Sequence, residues 1–143
     1  MELNIKKAED GKEISKLIKV RKKVFVEEQN VPPELEIDEC DKEATHFIVI
    51  YNNEIIGTAR LVISENKGKI GRLCVLKEFR SQGIGFKLMN KIIEYSREIG
   101  LKYVYLEAQM HAIPFYEKIG FVAKGVEHMD AGIPHKTMFL TLN

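Results

Sequence analysis

Residues 75–86 read Val-Leu-Lys-Glu-Phe-Arg-Ser-Gln-Gly-Ile-Gly-Phe, and they constrain the fold more than any other stretch. Before them, residues 70–75 (Ile-Gly-Arg-Leu-Cys-Val) form an apolar run of strand length. After Gly83 the apolar spacing becomes helical, with Ile84, Leu88 and Ile92 in one row and Met89 and Ile93 beside it. The stretch therefore reads as the end of a strand, a short polar turn and the start of a helix. A helix N-terminus carries unpaired N–H groups and about half a positive charge, which suits an anion. Gly83 and Gly85 let a ligand lie directly on the backbone. Arg80 adds forked donors that match phosphate oxygens. Arg80-Ser81-Gln82-Gly83-Ile84-Gly85 thus makes a cradle for a pyrophosphate. No Gly-x-x-x-x-Gly-Lys-Ser/Thr string occurs, and the triple-glycine dinucleotide spacing is missing, so other nucleotide loops do not fit.

The 143 residues are enough for one domain with a real core, spanning 1–143. Hydrophobic residues make up 45% and charged residues 30%, which argues against disorder. A net charge of +1 gives no broad nucleic-acid footprint. Two cysteines, Cys40 and Cys74, make no disulfide framework, and no metal-type Cys/His spacing exists. The N-terminus carries no long apolar stretch, and no run approaches the roughly 18 residues a membrane helix needs. The expectation is a cytoplasmic protein with reduced thiols, without metal, nucleic acid or membrane among its partners.

Taken in order, residues 3–8 predict a first strand. Residues 11–27 place Ile14, Leu17, Ile18, Arg21 and Phe25 on one helical face. Arg21 is the odd member: its stem can pack while its head reaches water, or it can point into a pocket and hold an anionic substrate group. Residues 28–43 read as a long connection dense in carboxylates, with Pro32 and Pro33 forbidding a continuous helix at its start. Such a loop is either solvated or faces the substrate. Residues 46–51, 54–63 and 69–75 make a three-strand meander, with Asn52-Asn53 as a tight hairpin turn. A helix over 83–99 stops at Gly100, and residues 101–108 follow as a central strand, so that a parallel pair with a right-handed crossover is expected. Pro114 opens a short helix that Gly120 ends. Residues 121–126 read as a strand, 127–134 as a loop and 135–142 as the last strand.

The pattern Arg80-x-x-Gly83-x-Gly85 after a strand resembles the acyl-coenzyme A site of the GNAT family of N-acetyltransferases. Ala112-x-x-Phe115-Tyr116-Glu117-Lys118-x-Gly120-Phe121 resembles the second signature of the same family, at the right distance after the first. The element order β-α-β-β-β-α-β-α-β-β is that family's mixed α/β (α+β) fold, with two central parallel strands splayed apart. The strings Arg21 to Pro32 and Gly132-Ile133-Pro134-His135-x-x-Met138, with Glu36, Asp38, Asp41, Ala44 and His46, are similar to a bacterial subgroup of small acetyltransferases of mostly unassigned substrate. One departure is Gln109, where the family usually has asparagine three residues before Ala112.

The resemblance implies acetyl transfer from acetyl-CoA, as cosubstrate, to a small-molecule primary amine by direct attack in a ternary complex. Arg80 to Gly85 would hold the pyrophosphate. Main-chain groups of Leu73, Cys74 and Val75 would pair with the pantetheine arm, and Gln109, Ala112, Phe115 and Tyr116 would complete the coenzyme site. A backbone N–H near Val75 would polarise the thioester carbonyl. Tyr116, with an ordinary phenol pKa of about 10, would protonate the departing sulfur. The base is left open among Glu28, Asp38, His46, His111, His135 and a water chain. Arg21, Glu28, Asp38, His111 and His135 are candidate acceptor contacts. Cys74 is expected to be a small buried residue and not a covalent nucleophile. Two alternatives are a non-catalytic acyl-CoA-binding sensor and an acyl-homoserine-lactone synthase-like acyltransferase. Monomer and homodimer fit equally well.

Overall fold

The computed structural model describes residues 2–142. Seven strands make one sheet in the order β1-β2-β3-β4-β5-β7-β6. Strand β1 (Asn4–Lys7) lies antiparallel to β2 (Thr45–Tyr51), β2 to β3 (Glu54–Ser64), and β3 to β4 (Lys67–Val75). The β2–β3 turn is the expected Asn52-Asn53, and both residues take positive φ (50° and 65°). That left-handed pair matches the twist of a two-residue hairpin.

Strand β5 (Tyr103–Gln109) runs parallel to β4, reached through α3 (Ile84–Glu98). Parallel pairing lasts only three rungs: Lys67↔Tyr103, Gly68↔Val104 and Lys69↔Tyr105. Beyond Lys69 the two strands part. β4 keeps its partner on the other side through Val75↔Gly57, and β5 keeps β7 (Ile133–Thr141) through Gln109↔His135. This is the expected splay. Helix α4 (Ile113–Ile119) follows β5, starts with Pro114 in its first turn and stops at Gly120, which takes φ 119°. Strand β6 (Val122–Asp130) then pairs with β7.

The two faces of the sheet carry different loads. Ile84, Leu88, Met89, Ile92 and Ile93 of α3 bury against Phe47, Val49, Ala59, Leu61, Ile70, Val104, Leu106 and Met138, and Phe115, Tyr116 and Ile119 of α4 join that core. On the opposite face α1 (Gly11–Arg21) packs on β3 and β4, with Val20 and Val24 against Cys74. Asp10 caps α1, its Oδ1 accepting the Glu13 N–H at 2.9 Å.

Three expectations need correction. The helix over 11–27 is regular only to Arg21; Lys22–Glu28 winds more widely, and the Gln29 N–H reaches back five residues to the Val24 carbonyl (3.1 Å). Residues 28–43 are not a plain connection: they hold α2 (Pro33–Glu36) and a 3-10 turn (Glu39–Lys42) that Asp38 caps. Residues 127–134 are not a loop. β6 and β7 extend to a tight turn at Ala131-Gly132, both with positive φ (52° and 77°), and the pairing is broken only by a bulge between Lys124 and His128.

Candidate active site

Two features meet at one end of the sheet: the N-terminus of α3 and the mouth of the β4–β5 gap. Gly83 precedes α3 with φ 78°, and no side chain caps the helix. Lys87 is the first residue whose N–H bonds back, to the Gly83 carbonyl at 3.1 Å. The amides of Ile84, Gly85 and Phe86 are therefore left without acceptors among the described residues. A Cβ built on Gly83 would meet nothing within 4 Å, and one on Gly85 would meet the Phe115 ring at 3.5 Å. Space lies open over Gly83, and α4 closes in on Gly85. Ser81 also takes positive φ (64°), so the chain turns sharply between Arg80 and the helix. This geometry fits a diphosphate group: unpaired amides, a bare backbone and a positive helix end face one open space.

Arg80 stands beside it, but its guanidinium is engaged. Nε donates to the Val75 carbonyl at 2.8 Å, while Nη1 and Nη2 donate to the two carboxylate oxygens of Glu28 at 2.9 and 2.8 Å. The Arg80 hydrogen bonds hold the Glu28 carboxyl below its ordinary range. Glu28, a candidate base and acceptor contact, thus lies on the coenzyme side of the gap.

Leu73, Cys74 and Val75 form the β4 edge of the gap, and Leu106 to Gln109 form the β5 edge. A bulge interrupts β4 just before this edge, between the pairs Arg60↔Gly71 and Thr58↔Cys74. Arg72 sits in it with φ 55°, a conformation that costs a non-glycine residue about 1–2 kcal/mol. Its side chain is tied down: Nε donates to the Glu36 carbonyl (3.0 Å) and carboxylate (3.1 Å). Cys74 is buried, and burial pushes its thiol up to about 12. It stays protonated and is no nucleophile at neutral pH.

Tyr116 projects from α4, edge-on to Phe115 and Phe121. Burial pushes its phenol up to about 12. Ala112 and His111 lie in the 3-10 turn Met110–Ala112 between β5 and α4, where His111 is exposed.

Arg21, Asp38 and His46 belong to a different assembly. Arg21 is 1% exposed and Glu36 2%. Arg21 Nε and Nη2 donate to Glu36 Oε2 at 2.8 and 2.6 Å, and Nη1 donates to Asp41 Oδ1 at 2.7 Å. Arg60 donates to Asp38 at 2.7 and 2.9 Å and to Asp41 at 2.9 Å. Burial alone would raise Asp41, but hydrogen bonds from Arg21, the Asp38 N–H and Arg60 outweigh it and hold that carboxyl well below the usual range. The Arg60 hydrogen bond lowers Asp38 likewise. Arg21 and Asp38, candidate acceptor contacts, are instead spent on ion pairs, Arg21 with Glu36 and Asp41 and Asp38 with Arg60. His46 is buried on β2, two strands or about 10 Å from β4. Its Nε2 lies 3.0 Å from the Asp41 carbonyl, so it supports the acidic segment and does not reach the gap.

Gln109 and His135 do meet, as a cross-strand pair at the end of β5 and β7. His135 stacks on His128 (centroids 6.3 Å), and His128 Nε2 lies 3.1 Å from Glu107 Oε1. Neither Glu107 nor His128 was singled out in the sequence. The signal was there in the alternation Tyr-Val-Tyr-Leu-Glu-Ala-Gln, which puts a carboxylate opposite the buried face of β5.

The model of the acetyltransferase (GNAT) domain family matches residues 6–142. The chain belongs to the GNAT family. The N-acetyltransferase YjcF of Bacillus subtilis, itself uncharacterised, is 39% identical over 92% of this chain and 94% of its own. The crystal structure of an acyl-CoA N-acyltransferase from Pseudomonas aeruginosa superposes with a TM-score of 0.85 at 29% identity, over 96% of this chain and 97% of that one. ElaA of Escherichia coli does so with 0.87 at 28%, over 96% and 99%. This GNAT protein is an acyl-CoA-dependent N-acyltransferase, and its family uses acetyl-CoA as cosubstrate. No helix among the described residues is long and apolar enough to cross a membrane.

Proposed function

We propose that the protein moves an acetyl group from acetyl-CoA to the primary amine of a small molecule by direct attack in a ternary complex. The observation that carries this reading is the three-rung parallel pair, which opens into a gap beside the uncapped N-terminus of α3. The amides of Ile84 to Phe86, with Arg80, bind the pyrophosphate. The β4 edge at Leu73 to Val75 pairs with the pantetheine arm, and a backbone N–H near Val75 polarises the thioester carbonyl. The amine nitrogen bonds to the carbonyl carbon as the C–S bond breaks. Tyr116 gives its phenolic proton to the sulfur, and the amine loses one proton to solvent, from which the phenol is restored. A buried, protonated Cys74 supports direct attack over an acyl-cysteine route.

The test is the melting temperature with and without acetyl-CoA, in wild type and in Arg80→Ala. A ligand at about 100 times its dissociation constant adds about 2.7 kcal/mol, a rise of several degrees at this size. A rise that shrinks in Arg80→Ala, together with amine-dependent thiol release, supports the reading. No rise at millimolar acetyl-CoA overturns it.

A further inference from the structure

One face of the sheet is only partly covered beside the gap, its side chains half-buried. Val104, Leu106 and Ala108 are buried under α3 and α4, so Tyr103, Tyr105 and Glu107 stand on the other side, where α1 covers chiefly β3 and β4. Register carries this half-covered face across the sheet: Tyr105 is opposite Phe139, and Glu107 is opposite Thr137. Tyr105 and Phe139 stack with centroids 6.0 Å apart and planes 25° from parallel. Tyr103 adds a third ring, 6.0 Å from Phe139 and 6.2 Å from Tyr105. None of the three packs into the core.

At one end of this aromatic shelf stands Glu107, two residues past the last rung at Lys69↔Tyr105 and hence at the root of the gap. Thr137 Oγ1 donates to its Oε1 at 2.6 Å, and His128 Nε2 lies 3.1 Å from the same oxygen. These contacts fix the carboxylate and leave Oε2 without a partner among the described residues. At the other end Lys67 lies opposite Tyr103 on β4, and Lys69 flanks the shelf opposite Tyr105. An ammonium is repelled from that end and drawn to Glu107.

We propose that this shelf is the acceptor subsite, in which the Tyr105–Phe139 pair carries a flat apolar body and Glu107 draws in the ammonium, which gives one proton to solvent before its nitrogen attacks, still hydrogen-bonded to the carboxylate. The acceptor class is then a primary amine on an aryl or aryl-alkyl frame, not a polyamine or an amino sugar. Ring stacking suits a flat apolar frame, the lysines disfavour a second cation, and a polyhydroxylated ring would leave its hydroxyls unpaired over the shelf. The inference rests on the gap being the place of acyl transfer.

The experiment measures thiol release from acetyl-CoA with phenylethylamine, ethylamine, glucosamine and spermidine. Wild type should favour phenylethylamine in kcat/KM by about tenfold or more, since its ring alone reaches the shelf. Glu107→Gln should raise the KM for phenylethylamine about tenfold with kcat little changed, because a charged hydrogen bond made in ground and transition state alike is lost. Phe139→Ala should do the same and Phe139→Tyr should not. The acetyl-CoA melting shift should persist in all three. Equal use of all four amines, no use of phenylethylamine, or an unchanged KM in Glu107→Gln would overturn the subsite while that shift is intact. A dimer that Phe139→Ala dissolves would give the face to a second copy and overturn it too. Loss of the shift in wild type strikes the transfer reading itself.

Discussion

Arg80 and Glu28, 52 residues apart in sequence, face each other through two parallel hydrogen bonds of 2.9 and 2.8 Å. The arginine expected to receive phosphate is thus matched with a carboxylate carried in by the wide final turns after α1. An incoming diphosphate competes with Glu28 for the same fork.

Removing that competitor should favour the coenzyme. Glu28→Gln is expected to tighten acetyl-CoA binding several-fold at low salt, with a smaller gain at high salt, where screening weakens both the pair and the phosphate contact. Titration calorimetry at two ionic strengths reads this. Weaker binding in Glu28→Gln would mean that the carboxylate positions Arg80 instead of competing for it.

Tyr116 makes a prediction about pH. A phenol at about 12 keeps its proton throughout the neutral and mildly alkaline range. The acid form is present below that value, so Tyr116 should impose no fall in kcat between pH 7 and about 10. Tyr116→Phe should lower kcat by about 10²-fold or more, with the coenzyme-induced melting shift unchanged. A kcat unchanged in Tyr116→Phe removes the acid role.

The Arg21–Glu36–Asp41 cluster governs stability. Truncating Arg21 to Met leaves buried Glu36 with Arg72 alone, at 3.1 Å, as its cationic partner, a loss of about 3 kcal/mol and on the order of 10 °C in melting temperature. Asp38 and Asp41 have folded pKa values below their unfolded ones. Their contribution is therefore complete above the unfolded value, near 4, and is lost as pH falls below it. Wild type should melt progressively lower below about pH 4, and Asp41→Asn, weaker at pH 7, should show a shallower acid decline. Parallel pH–melting curves for the two proteins would contradict this.

The two thiols should part company. Cys40 is exposed and Cys74 buried. Iodoacetamide on the native protein should therefore add one group, at Cys40, and a second only after unfolding. Cys74→Ala should keep turnover. Loss of turnover in a folded Cys74→Ala protein would reopen the covalent route.

Legibility in the sequence followed the range of the interactions. The turn at Asn52-Asn53, the start of α3 at Gly83 and its row Ile84, Leu88, Ile92 are local patterns, and all read correctly. Residues 28–43 did not, because their order comes from Arg21, Arg60 and Arg72, whose closeness is visible only once β3 and β4 are paired. A carboxylate-rich string looks the same whether its partners are water or arginines. Glu107 escaped for a related reason: its meaning depends on Thr137 and His128, which reach it only across β7 and β6.

The three-rung contact between β4 and β5 makes the sheet mechanically two plates on a short hinge. One plate is β1 to β4, and the other is β5, β7 and β6. Strain between them concentrates in residues 67–69 and 103–105. A molecule bound across the gap acts as a strut, so the amides of those rungs should exchange with solvent more slowly when the gap is bridged. The breathing of one short hinge then sets how far the halves of the cleft can swing.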